Sequence, residues 1–486
     1  MVYSSFGSAL AALSLAFSAS AISTELVIVN AEVSPDGFAR QGVLANGTFP
    51  GPIIKGHKGD NFHINVKNYL TNATMDTSTT VHGYAMSHPS GDSFEYKFKV
   101  PDQAGTFWYH SHEGLQYCDG LRGPLIVYDP HDPHKHLYDV TMKRLSSRSL
   151  IGIICLQSTC PSQRIRARSL STVSPVYREK TPRSPYEVEQ GKRYRFRLIS
   201  TSCHPYFNFT IDDHDNFTII EADGENTEPL PGIDQIQIHA AQRYSFVLEA
   251  NQPNASYWIR ATPEKIVNGT PTGFAILRYR GANGSEPTGN TTITPPPKNP
   301  LLEPNLRAYN ARVPALDPEC EDCDISLNFS FILSGTYNAH DLMPKNSVQP
   351  LPLNKTVQIT MHGGPVGGPH PLHLHGHSFF VIQSAGSNVT NYVNPVFRDV
   401  VSIGTSAADK VIIRFTTDNP GPWIMHCHID FHLAAGFALV MAEAPKEVAG
   451  YIAPVPPAWS ELCPGYEESR PTPSLIVQQL YPYTPM

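Results

Sequence analysis

Within the stretch Trp423 to Phe437, the residues His426, Cys427, His428 and His432 place three imidazoles and a thiol in seven positions. Such a concentration of nitrogen and sulfur donors is a metal site, and it requires a fold that holds the stretch extended. In a strand, alternate side chains point to opposite faces. His426 and His428 then share one face and Cys427 takes the other, so a single strand serves two metal groups.

Two further segments repeat the pattern. His373 and His375 fall on one face of a strand, with His370 just before it and His377 just after, and His110 and His112 flank Ser111. The three segments hold nine of the 21 histidines, which scattered core or surface histidines do not explain. Structural zinc usually takes paired cysteines, and catalytic zinc rarely needs so many imidazoles. Two histidines with one cysteine suit a type 1, blue copper, and all-histidine pockets suit further copper ions. Copper is the expected cofactor.

The run from His426 through His432 to Phe437, the run His370-Pro371-Leu372-His373-Leu374-His375-Gly376-His377 and the run Gly105 to His112 resemble three of the four copper motifs of multicopper oxidases, most closely fungal laccases. Shorter matches at 33–37, 116–124, 191–196 and 418–422 carry the resemblance over most of the chain. It implies an all-β fold of three consecutive cupredoxin-like β-sandwich or barrel domains. It also implies a type 1 copper held by His370, Cys427 and His432, with Phe437 in the axial place, where a carbon side chain cannot coordinate and Cu(I) is favoured. The trinuclear cluster would take His373 at the type 2 copper and His110, His112, His375, His426 and His428 at the type 3 pair; His377 has no ligand role. Electrons would enter at the edge of His432 and cross Cys427 to His426 and His428, four transfers reducing O₂ to two waters. Phenols and aromatic amines are the implied substrates. Laccases often place an acid just after the domain-linking cysteine; His204 stands there and is the candidate substrate-binding residue beside His432. The resemblance also pairs Cys118 with Cys203 and leaves Cys463 without its family partner.

At 486 residues, the chain suits two or three domains. Its 44 Pro and 34 Gly between short Val/Ile/Tyr/Phe-rich runs read as mostly β. The expected boundaries are a leader over 1–21, then domains over 22–150, 151–300 and 301–486. Strands are expected at 62–66, 94–100, 194–199, 217–220 and 244–248, and a linker at 281–304. A net charge of −7 argues against nucleic acid as a partner. The apolar run Leu10–Phe17 before Ala19-Ser20-Ala21 reads as a secretory signal, and no later segment is long and apolar enough to span a bilayer. Eleven Asn-x-Ser/Thr sequons, at Asn46, Asn72, Asn208, Asn216, Asn254, Asn268, Asn283, Asn290, Asn328, Asn354 and Asn388, agree with a secreted, extracellular glycoprotein. A monomer acting on small molecules is expected, with no membrane partner.

Two stretches depart from the family. The fourth copper motif, His-Trp-His-Gly, corresponds here to Thr80-Val81-His82-Gly83, so Thr80 occupies the place of the first histidine and only His82 can stand for the second, as a sixth type 3 ligand by resemblance, and the loop that follows is short. Residues 141–185 carry nine Lys/Arg against one acid, Glu179, and read as neither a strand series nor the family's sequence; a linker or a mistranslated segment fits better than a polyanion patch. The expectation is a laccase-type oxidoreductase whose O₂ reduction is impaired by the incomplete motif. Its rivals are a non-enzymatic blue-copper glycoprotein and a ferroxidase. The latter needs acids beside the type 1 histidines; Phe431, Leu433, Ala434 and Ala435 offer none, though Asp430 is close in sequence.

Overall fold

Strand Asn61–Tyr69 shows how the sequence pattern becomes architecture: Phe62, Ile64 and Val66 turn inward while His63, Asn65 and Lys67 are partly exposed, the alternation expected of a sheet with one face on a core. The computed structural model describes residues 20–33, 39–80, 88–141, 153–156, 185–204, 206–263, 272–288, 296–310, 325–329, 348–364, 368–434, 436–455 and 457–469. Among them, strands form six sheets, two in each of three successive units.

In the first unit, Arg40–Ala45, Ala21–Val33, Asn61–Tyr69 and Ser93–Lys99 form one sheet; Ile54–His57, Arg122–Tyr128 and Gly105–His110 form the other. Strand Ala21–Val33 begins where the expected leader ends, and residues 1–19 lie outside the described residues. The second unit is centred on Arg193–Ser200, Phe217–Ala222 and Arg243–Glu249 in one sheet and on Ser256–Pro263 in the other. In the third, Pro371–Leu374 is flanked by Val400–Ser402 and Gly421–Cys427, and the opposing sheet is built around Thr356–His362 and Lys410–Thr416. All five strands expected from the sequence are present, each longer by a residue or more or shifted by one.

Three features differ from the sequence reading. Val140–Thr141 pairs in parallel with Arg193–Ser200, so the chain joins the second unit's sheet before residue 150. Within the basic segment, Ile153–Leu156 forms a further parallel strand on Arg193–Ser200; the rest of 142–184 lies outside the described residues. The expected linker is packed at its end: Leu301 is buried and its N–H donates to the Gln235 carbonyl at 2.8 Å. Leu301 and Leu306 belong to one continuous apolar core that runs through the second and third units, while the first unit has its own. Burial of apolar side chains, rather than linker composition, decides where this chain is fixed.

Candidate metal centre

Strand Gly421–Cys427 lies between Pro371–Leu374 and Ala438–Glu443, with His373 opposite His426 and Leu372 opposite Cys427. This register sends neighbouring side chains into different sites. Cys427 Sγ lies 3.7 Å from His370 Nδ1 and 3.4 Å from His432 Nδ1, and the two nitrogens are 3.1 Å apart. The point equidistant from the three atoms is about 2 Å from each, the range of transition-metal bonds to imidazole. His432 reaches this triangle from the short helix Asp430–Ala434. Phe437 closes one side, its ring centroid 4.9 Å from that of His370, and its backbone is tied to the site: the Cys427 N–H donates to the Phe437 carbonyl and the Phe437 N–H to that of His432.

On the other face of the strand, six imidazoles converge. His112, His375 and His426 bring ligand atoms within 4.8 Å of one another, with His375 Nε2 and His426 Nε2 3.1 Å apart. His373 has ring centroids 4.7 Å from His375 and 5.8 Å from His428. His110 lies 4.6 Å from His112 and 5.0 Å from His428. Three rings are oriented by Nδ1–H bonds to carbonyls: His373 to Asp399 at 2.8 Å, His110 to Ser111 at 3.0 Å and His426 to Cys427 at 3.0 Å. Each is left with Nε2 as its lone-pair nitrogen. His428 Nδ1 is buried with no hydrogen-bond partner, an orphan that a metal ion would satisfy.

The electrostatics match this use. Burial, with His373 and His110 adding to it, holds His426 down at about 3. Burial and His110 push His428 well below the usual imidazole range, and burial followed by His370 and His204 takes His432 to about 4. Neutral imidazole is the ligand form. Burial pushes the Cys427 thiol up, so the free group keeps its proton and metal binding must displace it. The donor set fits copper at both groups: imidazole and thiolate at one, imidazole alone at the other.

The remaining candidates are placed as follows. His204 has its ring centroid 6.2 Å from that of His432, its Nδ1 is buried without a partner, and burial lowers its pKa. Thr80 is buried and its carbonyl accepts the His112 N–H at 3.2 Å, so its position abuts the imidazole pocket. His82 lies outside the described residues. His377 Nε2 meets the buried Glu443 carboxylate at 2.7 Å, a packing role behind the site. Cys118 and Cys203 form a disulfide between the first and second units. Asp430 does not serve the type 1 group as an exposed acid: it is 4% exposed, lines the cavity with His110, His112 and His428, and is raised well above the carboxylate range by burial and by Asp119. Sequence reasoning missed the polar groups that hold the ligand strands, among them Tyr117, whose hydroxyl donates to the His428 carbonyl at 3.0 Å. Nothing local in the sequence marks a partner 311 positions away.

A cysteine between two imidazoles, one residue from an all-imidazole pocket and carried on paired β-sheets, defines a multicopper oxidase. Residues 28–132, 164–282 and 314–447 each match a multicopper oxidase domain. The chain belongs to that family, among the fungal laccases. Laccase-1 of Fomitopsis schrenkii is 55% identical over 95% of this chain and 94% of its own, and the laccase of Phlebia radiata is 46% identical over 91% and 94%. Among solved structures, the laccase of Botrytis aclada is 26% identical, with a TM-score of 0.73 over 93% of both chains. Fet3p, a multicopper oxidase that functions in iron import, is 22% identical and shares the cupredoxin-type fold, with a TM-score of 0.74 over 92% of this chain and 95% of its own. The activity is that of a laccase: a copper-dependent oxidation of phenolic substrates by O₂.

Proposed function

We propose that His370, Cys427 and His432 hold the type 1 copper, and that His373 serves the type 2 copper and His110, His112, His375, His426 and His428 the type 3 pair. The carrying observation is the 3.1–3.7 Å triangle of His370, His432 and Cys427, one backbone link from His426 and His428. Copper bound there supplies one-electron oxidation at the first group and four-electron reduction of O₂ to two waters at the second. The protein's residues do the rest. His432 is partly exposed while Cys427 is fully buried, so a substrate meets the imidazole edge and never the sulfur. His204, beside His432 and only partly buried, would accept a hydrogen bond from a phenol hydroxyl or an aromatic amine N–H. Four substrate molecules give up four electrons and four protons for each O₂ consumed.

Thr80 offers only a hydroxyl where the family has an imidazole, and we assign weaker type 2 copper retention and slower O₂ reduction to it. By the resemblance His82, which lies outside the described residues, would be the sixth type 3 ligand. The described ligand candidates of both metal groups come from one chain, which supports a monomer. The leader-like residues 1–21 support secretion, as do the exposed sequon residues Asn46, Asn216, Asn254, Asn283, Asn354 and Asn388. Three domains are assigned: the first through about residue 130, the second from there through about 300, and the third beyond. No described helix is long and apolar enough to cross a membrane.

The test is O₂ uptake by the copper-loaded protein with a phenol, an aromatic amine or Fe(II) as the reductant. Uptake with the first two and little with Fe(II) is the expected result. A blue protein that consumes no O₂ with any of them would be an electron carrier, and a preference for Fe(II) would restore the ferroxidase reading that the burial of Asp430 opposes.

A further inference from the structure

Among the described residues, the second unit supplies no candidate copper ligand, yet one of its side chains touches both units that do. Arg243 opens strand Arg243–Glu249 and is 3% exposed. A guanidinium carries five N–H donors in one rigid plane, and here all five have acceptors. Nε donates to the Thr106 carbonyl at 2.9 Å. Nη1 donates to the Ala241 carbonyl at 3.2 Å and to Asp399 Oδ1 at 2.7 Å. Nη2 donates to the Asp223 carbonyl at 2.7 Å and to Asp399 Oδ2 at 2.8 Å.

One end of this fork holds the strand that carries His110, and the other holds the residue whose carbonyl orients His373. Thr106 lies on strand Gly105–His110, which carries His110 in the first unit, and its own N–H is fixed by the buried Glu221 at 2.8 Å. Asp399 belongs to the third unit; its carbonyl accepts from His373 Nδ1 at 2.8 Å and from the Leu374 N–H at 3.3 Å. Two second-unit neighbours hold the same edge: Gln242 Nε2 donates to the Val400 carbonyl at 3.3 Å, and the Val400 N–H donates to Asp223 at 3.2 Å. We propose that Arg243 is a positioning residue that fixes the separation of the first and third units at the pocket, and with it the distance between His110 and His373. The inference rests on the assignment of those histidines as copper ligands. It gives the second unit a task in the centre to which it contributes no ligand.

A lysine keeps the charge but offers three donors at one point, so it cannot span Thr106 and Asp399 together. The experiment compares wild type with Arg243→Lys and Arg243→Gln in two ways. Hydrogen exchange of the metal-free protein, read by mass spectrometry, is expected to accelerate at least tenfold in both 105–110 and 371–374 in either variant, with 61–69 unchanged as a fold control. Titration with Cu(II), followed by electron paramagnetic resonance, is expected to show non-blue copper bound at least tenfold more weakly while the blue copper is retained. Acceleration confined to 241–249, or an Arg243→Lys protein that exchanges like wild type, overturns the proposal. If neither variant folds, Asp399→Asn, which keeps the side-chain shape and breaks the fork, is read by the same exchange criteria. If the wild type takes up no non-blue copper, the ligand assignment fails, while the exchange result still decides whether Arg243 couples the units.

Discussion

Replacing Glu221 by Gln removes one charge from the buried centre of the second unit and tests how strongly that unit is held together. The carboxylate is fully buried and accepts from the Thr106 N–H at 2.8 Å, the Ser245 hydroxyl at 2.8 Å, Arg197 Nη1 at 3.1 Å and Arg195 Nη2. Burial alone would raise its pKa, but the two guanidiniums and the hydrogen bonds outweigh it and hold the group down at about 2, from 4.5. Arg197, pushed down to about 10 by burial and by Arg195, stays charged throughout the acid range. A depressed pKa contributes stability above the unfolded value, and that stability is lost as pH falls toward the folded value. The shift corresponds to about 3 kcal/mol at pH 7, with less than about half of it left at pH 3. Breaking a buried ion pair from one side gives a similar figure, about 3–5 kcal/mol. A chain of several units need not unfold in one step, so the assay is urea-dependent native-state hydrogen exchange of strand Arg193–Ser200, which reports that unit's own opening free energy. A gap between Glu221→Gln and wild type below about 1 kcal/mol at pH 7, or a gap that does not shrink by pH 3, refutes the reasoning.

Other substitutions address the metal groups. Cys427→Ser abolishes the blue absorption while leaving non-blue copper in the imidazole pocket, because the sulfur meets His370 and His432 and none of the pocket's described imidazoles is placed against it; absorption and electron paramagnetic resonance spectra check it. Phe437→Met offers a thioether beside His370 and lowers the type 1 potential, read by redox titration of the blue band. Thr80→His returns an imidazole to the pocket edge and raises both type 2 copper content and the O₂ uptake rate, measured on the same preparation. Gly376→Ala puts a Cβ 2.2 Å from the Trp423 ring at a φ of +76°, next to His375; a loss of at least about 1 kcal/mol is expected, seen as a lower urea midpoint with weaker non-blue copper binding.

The ligand groups were legible because their signal is local. His426, Cys427 and His428 are neighbours, and strand alternation separates the sulfur from His426 in the structure; the strand ends at Cys427, and the His428 N–H, donating to the Pro371 carbonyl at 2.7 Å, carries the pairing one residue further. Strands such as Asn61–Tyr69 were legible for the same reason, since inward and outward residues alternate in sequence. Groups that hold the ligands apart were not. Arg243 meets Asp399 across 156 positions and Thr106 across 137, and a charged residue opening a strand says nothing about which chain segments it will join. The packed end of the expected linker was hidden by its composition: Pro- and Asn-rich flanks outweighed Leu301 and Leu306, whose burial fixes the segment. Asp430 was visible as an acid near His432, but only the helix Asp430–Ala434 decides that it turns inward toward the imidazole pocket while His432 faces the type 1 group.

The measurement that bears most directly on the central claim is copper per chain on the purified protein, taken together with phenol-driven O₂ uptake. A laccase with Thr80 at the edge of its pocket predicts a full complement of blue copper, non-blue copper below the family's three, and slow but definite O₂ uptake that rises in Thr80→His. A blue protein with no uptake in either form contradicts the laccase assignment. Four coppers with uptake unchanged by Thr80→His contradicts the weakened pocket.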